Sequence, residues 1–145
     1  MTIDYKLAIV GSRRRNSLKD RKLVLDLVSS FKESCDGGFH GDDVQLVIVS
    51  GGCPQGADKF AEEAADINKL PKIIFPIQKY PEIKSRYEFT KRAYARNQLI
   101  ADECHIMYAL ISTDRTGGTE DSIRRAKALG KLVVGIDMWG TSTYL

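Results

Sequence analysis

Three stretches of the sequence combine glycine with hydroxyl-bearing and charged side chains. They are Gly11-Ser12-Arg13-Arg14-Arg15-Asn16, Ser50-Gly51-Gly52-Cys53-Pro54-Gln55-Gly56-Ala57-Asp58, and Ser112 to Glu120, which contains Gly117-Gly118-Thr119. Glycine lets a backbone approach a ligand closely, and a helix starting just behind it offers free N–H groups to an anion. Arginine adds the bidentate hydrogen bonds that phosphate accepts. The run Arg13-Arg14-Arg15 reads either as a solvated loop or as a phosphate contact. Asp58 reads either as a carboxylate favouring the dipole of the helix it begins or as a ligand contact. The second stretch is not G-x-G-x-x-G, and no acidic residue stands about 20 positions further on at the end of the next strand, so a dinucleotide fingerprint is not met. The P-loop pattern G-x-x-x-x-G-K-[ST] is absent.

Each stretch follows a short apolar run that reads as a strand: 6–10, 44–49 and 104–111. Two further strands are expected at 72–77 and 132–136. Helical periodicity marks 18–31, where Leu23, Val24, Leu27, Val28 and Phe31 fall at i, i+3, i+4 spacing, and also 56–67, 87–103 and 117–129. Glycine-rich 36–43 reads as a loop, and 139–145 as a short turn-rich tail. The strands are continuous apolar runs, the pattern of strands buried on both faces. Strand and helix alternate throughout, which predicts one domain over 1–145, a three-layer Rossmann-like α/β fold with a mostly parallel five-stranded sheet. A (β/α)8 barrel needs about 250 residues. In a doubly wound sheet ligands bind beyond the carboxyl ends of the strands, so the three stretches are expected to share one pocket.

Composition fits this. The 145 residues are 43% hydrophobic and 28% charged, which argues for a globular domain rather than a disordered chain. No apolar run approaches the roughly 18 residues that span a bilayer, and the first residues lack a secretory pattern. The net charge of +3 is mild and leaves room for an anionic small ligand. It counts against nucleic acid as the partner, a reading in which Lys91, Arg92 and Arg96 would track a single strand and Tyr87 and Tyr94 would stack on its bases. Cys35, Cys53 and Cys104 form no CxxC, so neither a disulfide framework nor a cysteine zinc site is expected, and a reducing cytoplasm fits best. His40 and His105 are too few for a histidine-rich metal site.

The chain resembles the SLOG superfamily of Rossmann-like nucleotide-ligand-binding domains, with the YspA-like branch nearest. The resemblance rests on Gly11-Ser12-Arg13, on Ser50-Gly51-Gly52 through Gly56-Ala57-Asp58, on Arg96-Asn97-Gln98, and on Gly118-Thr119-Glu120-Asp121 running into Gly130-Lys131. It covers the chain from about Lys6 to Asp137. It implies a nucleotide-like ligand held by Gly11, Ser12, Arg13, Ser50, Gly51, Gly52, Gly56, Ala57, Asp58, Arg96, Asn97, Gly117, Gly118 and Thr119. One related branch, the Lonely Guy phosphoribohydrolases, cleaves the N-glycosidic bond of cytokinin nucleotides with a helix arginine and a glutamate of a P-G-G-x-G-T-x-x-E loop. Arg96 and Gly118-Thr119 match that pattern, whereas Ser122 stands where the glutamate would be, with Glu120 and Asp121 beside it. Another branch, similar to the DNA-processing protein A domain, binds single-stranded DNA, and others sense nucleotide-derived signals without cleaving them. Two readings follow. In one, the chain is a nucleoside 5′-monophosphate N-glycosidase with Arg96 and Glu120 or Asp121 as its catalytic residues, a chemistry that needs no metal or cofactor. In the other, it is a non-catalytic nucleotide sensor. Pairing through helices, as a homodimer, is also implied.

Overall fold

The computed structural model describes residues 1–145. In chain order the elements are β1 (Thr2–Gly11), α1 (Leu18–Asp36), β2 (Asp43–Ser50), α2 (Ala57–Ile67), β3 (Lys72–Ile74), α3 (Arg86–Glu103), β4 (Ile106–Leu110), α4 (Gly118–Ala128), β5 (Leu132–Ile136) and β6 (Ser142–Tyr144). They form one sheet in the order β3-β2-β1-β4-β5-β6. Five strands are parallel, and β6 pairs antiparallel with β5.

Alternate side chains of the central strands feed two cores, which explains their unbroken hydrophobicity. Leu7, Ile9, Leu46 and Ile48 pack beneath α1 and α2, against Val24, Val28, Phe60 and Ala64. Ala8, Val10, Met107 and Ala109 face the other way, against Ile100, Ala101, Ile123 and Ala126 of α3 and α4. The result is a three-layer domain with a mostly parallel sheet. No helix is long and apolar enough to cross a membrane.

The sheet has six strands rather than the expected five. Ser142–Tyr144 is exposed along its length, so no burial pattern marks it, and its pairing with Val134–Ile136 is what makes it a strand. Helix α1 runs five residues past its apolar stripe, with Lys32 and Asp36 paired at 2.8 Å on its last turn. Strand β1 starts at Thr2, because Thr2 to Lys6 find partners on β2 even though that half is not fully buried.

The order reverses between β1 and β4, since the chain goes from β1 outward to β3 and then returns to β4 on the other side. A cavity opens at such a reversal, beyond the carboxyl ends of the strands. Arg15 fixes this end of the sheet. Its side chain is fully buried, its Nε pairs with Asp20 at 2.9 Å, Nη1 donates to the carbonyls of Ile111 and Ile136 at 2.7 and 2.8 Å, and Nη2 donates to Asp137 at 3.0 Å. These carbonyls lie at or just past the ends of β4 and β5, where the ladder stops. Asp20 in turn completes the capping box of Ser17 that starts α1. One member of the arginine run is therefore a structural tie, and the solvated-loop reading fails at Arg15.

Replacing Arg15 with Met keeps much of the volume and removes every donor. Asp20 is then a buried charge without a partner, a defect worth about 3–5 kcal/mol. Urea unfolding of Arg15→Met should show a loss of that size. An unchanged midpoint would remove Arg15 from this role.

Candidate functional site

A cavity of about 840 Å³ opens at the strand-order reversal. The β1–α1 turn contributes Gly11, Ser12, Arg13 and Arg14. The β2–α2 turn contributes Gly51, Gly52, Ala57 and Asp58, α3 contributes Arg96 and Asn97, and the start of α4 contributes Gly117, Gly118 and Thr119. Two expected residues lie behind the wall rather than on it. The Ser50 hydroxyl donates to Glu62 at 2.8 Å and accepts from the Gly52 amide at 3.2 Å. Gly56 donates its N–H to the Asn16 side chain at 2.8 Å.

The four helices begin in two ways. Helices α1 and α3 are capped by Ser17 and Ser85, whose hydroxyls accept the amides of Asp20 and Glu88 at 3.1 Å. Helices α2 and α4, whose first turns line the cavity, are preceded by Gly56 and Gly117 and have no side-chain cap. Their first N–H groups lack the usual serine, threonine or asparagine partner. Gly117 sits at φ +100°, a backbone conformation that a side chain would strain. Thr119 is 92% buried, since only 8% of it is exposed, yet it lines the cavity and its hydroxyl bonds to no other group of the chain.

Charge in the cavity is one-sided. Arg13, Arg14, Lys79 and Arg96 face a single carboxylate, Asp58. Arg14 also joins two of the turns. Its guanidinium grips Asp114 in a bidentate pair at 2.7 and 3.0 Å, and Asp114 accepts further hydrogen bonds from Ser112 and Thr116. The Arg14, Thr116 and Ser112 donors hold the Asp114 carboxyl far below the usual carboxylate range.

Arg96 is aimed from α3 across the floor. Nη1 donates to the Gly51 carbonyl at 2.6 Å and Nε to Asn97 Oδ1 at 3.1 Å, which leaves Nη2 free. The approach is so close that a Cβ on Gly51 would overlap the guanidinium and stand 2.8 Å from Asp58 Oδ2, so a larger residue there would displace both side chains. Asn97 is buried and links α3 to α4 through the Gly118 carbonyl at 3.4 Å and Asp121 at 3.1 Å.

The structure does not bring Glu120 and Asp121 into the cavity. Glu120 turns out to Arg115 in a bidentate pair at 2.8 and 2.9 Å. Asp121 is buried on the far side of α4, held by Arg125 at 2.7 Å, Asn97 at 3.1 Å and Arg124 at 3.2 Å. Burial pushes its carboxyl up, but the Arg125, Asn97 and Arg124 donors outweigh that and keep it below its ordinary value. The first turn of a helix fans its side chains around the axis, so residues adjacent to Thr119 in sequence need not share its direction.

One wall was foreseen only at Tyr94. Ile77, Lys79 and Ile83 of the segment before α3, with Phe89, Thr90 and Tyr94 of its first turns, close the side of the cavity away from the glycine turns. Only the prolines and the aromatic spacing hinted at it, since this segment lacks the glycine signature of the other turns.

No family model and no curated protein matches the sequence. Among solved structures the chain is similar to the X-ray structure of TM1055, a target of the Northeast Structural Genomics Consortium. The identity is 15% and the TM-score 0.60, over 89% of this chain and 72% of that one. The likeness supports the Rossmann-like α/β fold. Fold and cavity together define a doubly wound domain whose switch-point pocket is cationic and faced by two uncapped helix ends.

Asp58 has a consequence for stability. Burial raises its carboxyl above the ordinary range, against the opposing pull of the Cys53 amide, Arg96 and the Gly51 amide. A raised value means that the folded chain binds this proton more tightly than the unfolded chain. Ionised Asp58 therefore costs stability at neutral pH, and the cost disappears below the unfolded value of about 3.9. Asp58→Asn should raise the Tm near neutral pH, with the gain shrinking as pH falls toward about 4. Thermal unfolding across that range checks it, and a gain independent of pH would contradict the assignment.

Proposed function

We propose that the cavity binds a nucleoside 5′-phosphate or a related nucleotide-derived ligand, with the phosphate seated on the first turn of α4. The observation that carries this reading is Thr119. The residue is nine-tenths buried, and its hydroxyl, open to the cavity and bonded to no group of the chain, lies in an uncapped helix start within a pocket where Arg13, Arg14, Lys79 and Arg96 outnumber Asp58. The Gly118 and Thr119 amides and the Thr119 hydroxyl are donors in want of acceptors, and phosphate oxygens satisfy them. The free Nη2 of Arg96 adds a further donor. The wall of Ile77, Phe89 and Tyr94 offers apolar and aromatic surface to a base. Nucleic acid is a poorer fit, because the donors converge in a pocket rather than along an open groove.

Two uses of the bound ligand follow. One is hydrolysis of its N-glycosidic bond. The other is reporting, in which the chain holds the ligand without cleaving it. The ion pairs of Glu120 and Asp121 favour reporting over hydrolysis by those two carboxylates, because both would have to leave arginine partners to reach a ligand.

Titration calorimetry with nucleoside 5′-monophosphates and the matching nucleosides tests the reading. Monophosphates should bind and nucleosides should bind far more weakly. Arg96→Ala should weaken the monophosphate by about 1.5–3 kcal/mol, the worth of a hydrogen bond to a charged group. Equal affinity for nucleoside and monophosphate would overturn it.

A homodimer belongs to the same reading. Leu99 stands 50% exposed on α3, where a copy of the chain would cover it. Sedimentation at tens of micromolar, roughly the range for an interface of standard size, should show a dimer. A monomer there would exclude it.

A further inference from the structure

Asp58 is the single carboxylate that lines the cavity, and it belongs to none of the ion pairs in the molecule. The other largely buried carboxylates are neutralised in contact: Asp20 by Arg15 at 2.9 Å and Asp121 by Arg125 at 2.7 Å. Asp58 has a guanidinium beside it but does not pair with it. Arg96 spends its Nη1 on the Gly51 carbonyl and its Nε on Asn97. The Asp58 side chain is fixed instead by backbone, with the Cys53 amide donating to Oδ2 at 3.1 Å and the Gly51 amide beside it. Carboxylate and guanidinium thus converge over the bare α-carbon of Gly51, each held by the backbone.

A carboxylate with no cation in contact is costly in a partly desolvated pocket, and folds keep such groups chiefly where they act. Its place is also suggestive. Helix α2 follows β2 and helix α4 follows β4, with β1 between them. Two strand spacings of about 4.8 Å separate their starts. The phosphorus-to-C1′ span of a nucleoside 5′-phosphate is shorter than this, which leaves room for a water molecule between C1′ and the start of α2.

We propose that Asp58 is the general base of an N-glycosidic hydrolysis at this site, the part that Glu120 and Asp121 are not placed to play. The inference rests on the nucleotide reading of the cavity. Asp58 accepts a proton from a water molecule as the water oxygen bonds to C1′ of the ribosyl group. The C1′–N bond breaks, and its electron pair leaves with the base, which takes up a proton from solvent. The products are free base and ribose 5-phosphate, and Asp58 returns its proton to solvent. The transition state carries oxocarbenium character, and an adjacent carboxylate stabilises it as in glycoside hydrolysis generally.

The test uses the full chain, a panel of nucleoside 5′-monophosphates, chromatography of released base, and calorimetric affinities. Wild type should release base. Asp58→Asn should bind within about threefold of wild type yet lose turnover by roughly 10²-fold or more, the scale of a general base. Glu120→Gln and Asp121→Asn should keep turnover. Wild-type turnover should fall as pH is lowered through the carboxyl range, and residual Asp58→Asn turnover should lose that dependence. Thermal unfolding of Asp58→Asn shows that it is folded. Turnover of Asp58→Asn at the wild-type rate overturns the proposal. So does saturable binding by wild type with no base released, a result that leaves the nucleotide reading standing. Failure of wild type to bind any monophosphate removes both.

Discussion

Arg15 leaves the end of β1, turns inward and spends its guanidinium on Asp20 and on the carbonyls of Ile111, Ile136 and Asp137. Those carbonyls belong to the ends of β4 and β5, so one side chain joins two strand ends and the turn after β1 to the start of α1. Burying a guanidinium is costly, and only full hydrogen bonding with a carboxylate partner offsets the cost. Both conditions are met. With Arg15 drawn in, its neighbours Arg13 and Arg14 are left at the rim of the cavity, and Arg14 closes onto Asp114 of the facing turn. The geometry of the pocket mouth thus depends on an interaction outside it.

The same sheet edge separates two kinds of helix start. Serine side chains cap the starts of α1 and α3, each accepting one first-turn amide. Glycine precedes α2 and α4, and their amides are left toward the cavity. Local stability is given up where a ligand can restore it, a common pattern at binding sites. The half-buried Asp58, in no ion pair, and the unpartnered Thr119 hydroxyl are further instances, one an acceptor and one a donor. Arg96 spans the gap between them from α3, and Asn97 beside it ties that helix to α4.

Much of this was legible in the sequence, for identifiable reasons. Strands buried on both faces read as unbroken apolar runs, and the turns after them stood out by glycine. Strand β6 was not legible, because its three exposed residues are held by pairing alone. A run of three arginines does not say which one is buried, and that depended on where the β4 and β5 carbonyls came to lie. Glu120 and Asp121 looked close to the ligand because they follow Thr119 directly, yet helical geometry turns them toward arginines at Arg115, Arg124 and Arg125. Asp58 was marked as a contact, but its lack of a cation partner is a property of the folded chain. The wall from Ile77 to Tyr94 carries no motif, and only the packing of α3 against the rest of the domain places it.

The central claim is that phosphate sits on the first turn of α4. Backbone amide NMR of the full chain during titration with a nucleoside 5′-monophosphate addresses it directly. The account predicts that the largest shifts fall at Gly117, Gly118 and Thr119, with smaller ones at Gly51 and Gly52, and that the matching nucleoside leaves the α4 amides nearly unmoved. Shifts centred away from this turn, or equal shifts from nucleoside and monophosphate, would contradict it.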